Sequence, residues 1–359
     1  MLNNIILSPF VIAFLITVVS TPICLLFIKK MGIVDDPSSH KHPAVIHKKP
    51  IPRGGAIPML IGVFLAGAIF LPMTKIVIAL FIASLISLII GVLDDKLDIS
   101  PYIRFIVNFI VAMIVVGSGV GIPFITNPFG GTLFLNTLRF SFDFFGYHWV
   151  LVFSDLIAII WLVWIMNMLN WSKGVDGQMP GIVAISAFVI GILSLRFPII
   201  DQANLISAKL SFILSGAALG FLVFNYYPAR IFPGYGATAI YLLLGSVSIL
   251  SSAKLATAIL VMGVPMIDGI FTILRRLLTG KSPFWHDKKH LHHLLLHLGF
   301  GQRQIALFYW IISAILGSLS LLLSSKGKLF AVIMVIIIVG GTLLFLHFFL
   351  RKTEDENDL

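Results

Sequence analysis

Residues 75–95 read KIVIALFIASLISLIIGVLDD, a run of eighteen uncharged residues that lies between one lysine and two adjacent aspartates. A membrane-spanning helix needs roughly 17–25 predominantly apolar residues, so this stretch predicts a span that ends at an acidic pair. The whole chain has the same character, since 58% of its 359 residues are hydrophobic and 11% are charged. A soluble domain carries about 25% charged residues, and this composition therefore excludes a water-soluble globule.

The stretch is one of about eleven apolar runs, which together predict an all-α fold, a polytopic membrane helix bundle. A transmembrane β-barrel would instead show period-two alternation in segments of about ten residues. The predicted transmembrane helices are residues 5–28, 54–73, 75–93, 102–120, 149–168, 179–197, 207–224, 237–252, 254–274, 304–323 and 329–350. Residues 1–353 are interpreted as a single integral-membrane domain and residues 354–359 as an acidic cytoplasmic tail.

The basic residues predict the orientation of the bundle, because Lys and Arg concentrate in cytoplasmic loops. If the loop 29–53 is cytoplasmic, 18 of the 25 Lys and Arg residues lie on that side. The N-terminus is then outside, the C-terminus is cytoplasmic, and the protein is integral to the inner (cytoplasmic) membrane. The polar clusters fall on the same side, which predicts a site that faces the cytoplasm.

The first polar cluster closes the opening stretch, where Asp94, Asp95 and Asp98 share one face if the helix continues. Carboxylates crowded at a membrane boundary repel one another unless a cation or a basic group neutralises them. Mg²⁺ suits such a site, since it takes oxygen ligands and bridges to phosphates. The alternative is a solvated helix end in which Asp98 caps the next helix.

A second cluster lies at the end of the predicted span 149–168. Asn167 and Asn170 would share a helical face there, and Lys173 and Asp176 follow in a glycine-containing turn. Carboxamide, carboxylate and ammonium groups together suit a site for a metal and a phosphate. The alternative is hydrogen bonding between helices, which amide side chains do well in membranes.

The third cluster, residues 275–293, begins with Arg275 and holds four of the ten histidines within eight residues, among them His290, His292 and His293. A positive cytoplasmic loop accounts for part of its charge but not for the histidines. Binding of a diphosphate is favoured over zinc, because Asp287 is the only further ligand nearby and no cysteine is close.

Two further signals are weaker. Lys48 begins the stretch KKPIPRGG at 48–55, whose backbone amides would suit a phosphate, although paired glycines at a helix start also serve packing. Asp268 lies inside a predicted span, where a carboxylate is expensive. It either belongs to the site or pairs with an arginine such as Arg275 for structural reasons.

Four motifs, taken in order, resemble those of the polyprenyl-phosphate N-acetylhexosamine-1-phosphate transferases. Residues 91–101 resemble G-x-x-D-D-x-x-D-x-S-P, residues 167–177 resemble N-x-x-N-x-x-D-G-x-D-G, and residues 224–229 resemble F-N-x-x-P-A. Residues 282–293 resemble the final cytoplasmic motif of the family. The resemblance covers essentially the whole chain and is stronger to the undecaprenyl-phosphate N-acetylglucosaminyl-1-phosphate branch than to phospho-N-acetylmuramoyl-pentapeptide transferase.

The resemblance implies a Mg²⁺-dependent phosphotransferase, with Mn²⁺ as a second candidate ion. Such an enzyme moves HexNAc-1-phosphate from a UDP-sugar, with UDP-GlcNAc favoured, to polyprenyl (undecaprenyl) phosphate. The products are polyprenyl-diphospho-sugar and UMP, for cell-wall or surface-polysaccharide synthesis. The expected partners are the UDP-sugar, the lipid phosphate and the membrane, with no nucleic acid, and a homodimer is a candidate assembly.

The resemblance also implies the roles of the site residues. Asp94 and Asp95 would act on the lipid phosphate or its proton, and Asp176 completes the catalytic set. Asn170 and Asp176 would hold the metal. The predicted substrate-binding residues are Lys48, Asn167, Lys173, Asn225, Asp268, Arg275, His290, His292 and His293.

The chain departs from the family pattern at two positions. Lys173 stands where many bacterial members have the first Asp of D-G-x-D-G, and Tyr235 stands where the family usually has the Asp of G-D-x-G-S, its Mg²⁺ ligand. A catalytically impaired member that binds lipid carrier or partners is therefore one alternative, and a muramoyl-pentapeptide phosphotransferase is another. A transporter of lipid-linked sugars is disfavoured, because no internal repeat is visible.

Overall fold

The computed structural model describes residues 3–37, 47, 49–127, 129–143, 147–196, 201–250, 255–283, 285 and 287–357. Helices dominate these residues. They are α1 (Ser8–Lys30), α2 (Ala56–Phe70), α3 (Lys75–Leu97), α4 (Pro101–Gly117), α5 (Val152–Trp171), α6 (Gln178–Ser194), α7 (Gln202–Asn225), α8 (Thr238–Ile249), α9 (Leu255–Val261), α10 (Gly263–Leu278), α11 (Leu291–His297), α12 (Gln302–Leu322) and α13 (Ser325–Asn357). A π-helical turn, Asn3–Leu7, precedes α1, and a 3₁₀ turn, Tyr235–Ala237, precedes α8.

Short strands qualify the all-α prediction. The described residues form three antiparallel two-stranded sheets, which pair β1 (Val34–Asp35) with β2 (Ile51–Pro52), β3 (Phe124–Thr126) with β4 (Thr132–Phe134), and β5 (Arg139–Asp143) with β6 (Tyr147–Leu151). The last two sheets lie within residues 124–151, most of which fall between the predicted spans 102–120 and 149–168. Gly130 and Gly131 adopt positive φ in the first of these hairpins, a conformation that glycine enters without strain.

Six helices are long and apolar enough to cross a membrane: Asn4–Lys30, Lys75–Leu97, Val152–Trp171, Gln202–Asn225, Gln302–Leu322 and Ser325–Leu350. The number rises to seven if the bent pair α9–α10 counts as one span. Four shorter apolar helices, Ala56–Phe70, Pro101–Gly117, Gln178–Ser194 and Tyr235–Ile249, coincide with other predicted spans. Every predicted span therefore contains helix, but the count of eleven transmembrane helices and the orientation of the termini are not confirmed.

One predicted span is broken. The sequence predicts continuous helix over 254–274, whereas α9 and α10 meet at an angle of 82° around Met262. Pro265 has no N–H to donate to the carbonyl of Val261, so the hydrogen-bond ladder cannot pass through this point. The break separates α10 from the apolar α9, and α10 buries Asp268, Thr272 and Arg276 while it exposes leucine and isoleucine side chains.

Helix α7 is the centre of the bundle. It packs against α1, α2, α6 and α8. In its most apolar stretch 78% of the residues are buried, whereas the corresponding fraction for α13 is 11%. Glycine permits the closest of these approaches, because a Cβ atom at Gly216 would lie 2.1 Å from the carbonyl oxygen of Phe10. Small residues that let backbones meet are the usual means of packing helices in membranes, where burial of apolar area contributes little.

We expect Gly91→Ala to lower the thermal midpoint of unfolding in detergent by several degrees. An added Cβ atom would lie 2.3 Å from Cα of Gly236, and backbone cannot yield as a flexible side chain does. Overpacking of this kind costs about 1–3 kcal/mol. Gly117→Ala is the matched control, because nothing lies within 4 Å of its Cβ position. Equal midpoints for the two variants would contradict the contact between α3 and the 3₁₀ turn.

Candidate functional site

A cavity of about 560 Å³ opens at one end of the bundle, where the ends of α3 and α5 meet three connecting segments. Residues from each of the three predicted polar clusters line it. The predicted site residues on its wall are Asp94, Asp95, Asn167, Asn170, Lys173, Asp176, Asn225, His290, His292 and His293. The fold therefore gathers groups that are as far as 199 positions apart in the sequence, although their roles stay a prediction.

Two of the predicted residues that the structure describes are not on the wall. Asp268 and Arg275 lie behind it, where Asp268 contacts His290 and Arg275 contacts Asp287. Lys48 lies outside the described residues. The structure thus assigns Asp268 and Arg275 positions from which they orient other site residues.

The acidic pair at the end of α3 is held by two different partners. Oδ2 of Asp94 accepts a hydrogen bond of 3.1 Å from Arg104 on α4, and its buried Oδ1 has no partner among the described residues. The Asp95 carboxylate accepts from the backbone N–H of Tyr235, at 2.9 and 3.0 Å. Gly234, in the left-handed region at φ 72°, permits this contact, since its Cβ would lie 2.1 Å from the Asp95 carboxylate.

The side chain of Asn225 supports the wall of the cavity through hydrogen bonds to the backbone of two neighbouring segments. Its Oδ1 accepts from the N–H of Gly177 at 3.0 Å, and its Nδ2 donates to the carbonyl of Ile231 at 2.8 Å. Asp176 is fixed in the same region, because its Oδ2 accepts from the N–H of Ala229 at 2.9 Å. Burial raises the pKa of Asp176 above its usual value, and the Ala229 N–H opposes that rise. Asn225 thus fastens the turn after α5 to the segment after α7.

His290 is oriented by a carboxylate. Its Nδ1 lies 3.0 Å from Oδ2 of Asp268, and Oδ1 of Asp268 accepts from the N–H of Leu291 at 3.0 Å. A carboxylate at Nδ1 holds the proton on that nitrogen, which leaves Nε2 available to a ligand in the cavity. Asp268 therefore acts through His290, an arrangement that the sequence left open.

The two neighbouring histidines are neutral at physiological pH. Burial lowers the pKa of His292 well below its usual value, and burial together with nearby His290 and Lys288 lowers that of His293 to about 4. The ring of His292 packs directly on Gly174, where a Cβ atom would lie 1.9 Å from its Nε2. Positive charge for a diphosphate therefore has to come from lysine and arginine, not from this pair.

Asp287 holds together the segment between α10 and α11. Its Oδ2 accepts from Arg275 at 2.9 Å and from Arg276 at 3.1 Å, while Arg276 also donates to the carbonyl of Pro283 at 2.6 Å. Burial raises the pKa of Asp287, but the hydrogen bonds from the two arginines outweigh it and lower the pKa from 3.8 to about 2.

We expect Asp287→Asn to lower the thermal midpoint of unfolding at pH 7. The variant lacks the carboxylate charge that the two arginines stabilise, an interaction that contributes about 2 kcal/mol to the stability of the native state. The folded pKa is depressed, so this stabilisation is complete above about pH 4 and disappears as the pH falls towards 2. Thermal unfolding of both proteins from pH 7 down to 3 should show midpoints that converge. A constant difference would contradict the ion-pair assignment.

The sequence did not point to several residues on the wall. Arg104 pairs with Asp94, and Arg53 donates two hydrogen bonds to Asp35, which also lies near His47. An isolated arginine at the start of an otherwise apolar predicted span is a signal for Arg104, because a lone charge at a membrane boundary needs a partner.

Comparisons with known proteins indicate which family the chain resembles. The model of the family described as "Glycosyl transferase family 4" matches residues 77–252. A probable undecaprenyl-phosphate N-acetylglucosaminyl 1-phosphate transferase of Bacillus subtilis is 29% identical over 342 residues, which cover 92% of this chain and 88% of that protein. Over residues 77–252, just under half of its length, the chain is similar to glycosyl transferase family 4.

Two further relatives are similar at the same level. The undecaprenyl-phosphate alpha-N-acetylglucosaminyl 1-phosphate transferase of Escherichia coli K12 is 29% identical, over 82% of this chain and 77% of its own length. The decaprenyl-phosphate N-acetylglucosaminephosphotransferase of Mycolicibacterium smegmatis is also 29% identical, over 86% of this chain and 81% of its own length. The matched regions extend well beyond the family model.

The two departures from the family pattern lie side by side. Nζ of Lys173 donates to the carbonyl of Gly234 at 3.0 Å and lies 5.8 Å from the centre of the Tyr235 ring. The Tyr235 hydroxyl accepts from Asn108 at 3.2 Å, and Arg104 lies over the same ring at 5.1 Å. Tyr235 therefore packs near two cations, at the position where the resemblance leads us to expect a metal-binding Asp.

The donor set for Mg²⁺ is small. Among the described residues, no three His, Cys, Asp or Glu side chains are grouped so that they could hold a metal ion. The buried Oδ1 atoms of Asn170 and Asp94 nevertheless have no hydrogen-bond partner there, and both residues line the cavity. Mg²⁺ commonly takes one or two protein oxygens and completes its shell with phosphates and water, so these residues fit an ion that is shared with a substrate.

Proposed function

We propose that the chain transfers GlcNAc-1-phosphate from UDP-GlcNAc to a polyprenyl phosphate, with undecaprenyl phosphate as the favoured acceptor. The observation that carries the proposal is the single cavity in which Asp94, Asp95, Asn170, Lys173 and His290 converge at one end of an apolar bundle. The names of the relatives support this donor and this class of acceptor. The products would be polyprenyl-diphospho-GlcNAc and UMP.

The reaction needs positioning and charge neutralisation more than covalent help from protein. An oxygen of the lipid phosphate attacks the β-phosphorus of UDP-GlcNAc, a new P–O bond forms, and the bond to the bridging oxygen breaks to release UMP. The unpartnered oxygen of Asp94 is placed to take the acceptor's proton or to orient it. His290, whose proton Asp268 holds on Nδ1, would present the lone pair of Nε2 to a hydrogen-bond donor of the sugar nucleotide, and Asn225 would keep the cavity wall in place.

Mg²⁺, with Mn²⁺ as a second candidate, is part of the proposal. Asn170 and Asp176, with Asp94 nearby on the wall, would hold the ion, which supplies charge neutralisation on the diphosphate. We further propose that the chain has eleven spans, with the N-terminus outside and the cavity on the cytoplasmic side of the inner membrane. A homodimer stays a prediction that no described contact tests.

The experiment is an assay of the purified chain in lipid nanodiscs with undecaprenyl phosphate and a panel of UDP-sugars. Release of UMP from UDP-GlcNAc, above release from UDP-MurNAc-pentapeptide, is the expected result. Preference for the muramoyl substrate would move the chain to the other branch. No release from any UDP-sugar would favour a catalytically impaired protein. The contact between Lys173 and Tyr235, which replace two expected acidic residues, is the structural reason to consider that outcome.

A further inference from the structure

Lys173 is a cation held in place on the wall of the cavity. It lies in the turn between α5 and α6, and its ammonium is fixed by the Gly234 carbonyl at 3.0 Å and the Tyr235 ring at 5.8 Å. An ammonium has three N–H donors, and only one of them makes a hydrogen bond within the described residues. Two donors are therefore left for a ligand.

Among the described residues, no carboxylate forms an ion pair with Lys173. In the part of the chain that the structure describes, Lys173 makes no ion pair within 4.0 Å, whereas Asp94 pairs with Arg104 and Asp95 accepts from the Tyr235 backbone. Burial lowers the pKa of Lys173 to about 8, and Asp95 opposes that fall, so the side chain is still a cation at pH 7. A buried cation with unused donors is a ready site for an anion.

We propose that the Lys173 ammonium binds a phosphate of the sugar nucleotide directly, so that this chain binds the diphosphate without a divalent cation. A lysine acts on phosphate as a point charge, and a half-buried one is less screened by water and salt than a surface lysine. The inference rests on the proposed function. It goes beyond that function, because it makes binding independent of the metal while turnover stays metal-dependent.

The lost acids and the gained lysine then act together. Tyr235 brings no carboxylate to the place of the usual Asp, and its ring instead holds the Lys173 ammonium beside Asp95. A fixed cation does not have to be recruited from solution, which favours binding when free Mg²⁺ is low.

The test is equilibrium binding of UDP-GlcNAc to the full chain in nanodiscs, with excess Mg²⁺ and with excess EDTA. The wild-type protein should bind in EDTA within about tenfold of its affinity in Mg²⁺. Lys173→Met should weaken binding in EDTA by at least about tenfold, because it removes a charge-assisted hydrogen bond to phosphate. Lys173→Arg should retain most of the binding, and the thermal midpoint of each variant reports whether it is folded.

The matched control is Lys30→Met, which makes the same charge change at an exposed position at the end of α1, outside the residues that line the cavity. It should alter binding by less than about threefold, since exposed charges are screened. Binding that requires Mg²⁺, or equal affinities for wild type and folded Lys173→Met in EDTA, overturns this inference alone. Absence of UDP-GlcNAc binding even with Mg²⁺ overturns the proposed function as well.

Discussion

Asp94→Asn lowers the rate of GlcNAc-1-phosphate transfer by about a thousandfold, within the range expected for loss of a group that handles a proton in the transition state. The carboxamide still accepts from Arg104, so the contact between α3 and α4 survives the substitution. The substitution does remove the proton-accepting oxygen at the buried Oδ1 position, which has no partner among the described residues. The expected change is therefore in kcat, measured as UMP release at saturating UDP-GlcNAc.

Asp201→Asn is the control for this variant. It removes the same charge at an exposed residue outside the cavity wall, and asparagine caps a helix such as α7 as well as aspartate does. Transfer should fall by less than about threefold, because an exposed charge interacts weakly. Similar rates for Asp94→Asn and the wild type would remove Asp94 from the chemistry.

Asp268→Asn should lower transfer by about a hundredfold or more, although Asp268 lies behind the cavity wall, because outer partners that fix a histidine tautomer contribute on this scale. The carboxylate accepts from Nδ1 of His290 at 3.0 Å. An amide in its place can donate to that nitrogen, which then keeps the proton on Nε2 and turns the acceptor that His290 offers to the sugar nucleotide into a donor.

Thr272→Val separates orientation from packing. The Thr272 hydroxyl also contacts Nδ1 of His290, at 3.3 Å, and valine has a similar shape. The transfer rate of this variant should fall by less than about fivefold, since a weak neutral hydrogen bond contributes less than a charged one. The pH dependence of kcat should change in Asp268→Asn and not in Thr272→Val. Identical losses in both variants would mean that the pair merely fills space.

The sequence predicted where the helices lie, whereas the number of helices that cross the membrane stays a prediction. Each apolar run is helical, because twenty apolar residues in lipid satisfy their backbone only in this way. The break between α9 and α10 was not foreseen, since hydropathy continues through Gly263 and Pro265 while the backbone does not. The hairpins at 124–151 were missed because aromatic residues beside glycine turns read equally well as a surface loop.

The site was predicted where its residues occur in motifs and missed where they act singly. Asp94, Asn170 and His290 belong to clusters that chemistry makes visible. Arg104 and Arg53 were found only through their ion pairs, because a single basic residue near a membrane boundary resembles one that merely sets topology. The separation of Asp268 from the cavity wall depends on how α10 packs, which no spacing rule encodes.

The reaction itself is tested most directly with UDP-GlcNAc that is radiolabelled in its β-phosphate. The purified chain, given undecaprenyl phosphate, should transfer the label to the lipid product while unlabelled UMP accumulates in equal amount. Label that remains in the nucleotide, as UDP, while the lipid gains only the sugar, would contradict phosphosugar transfer. Label that stays in unreacted UDP-GlcNAc, in a protein that is folded and binds the nucleotide, would contradict it too.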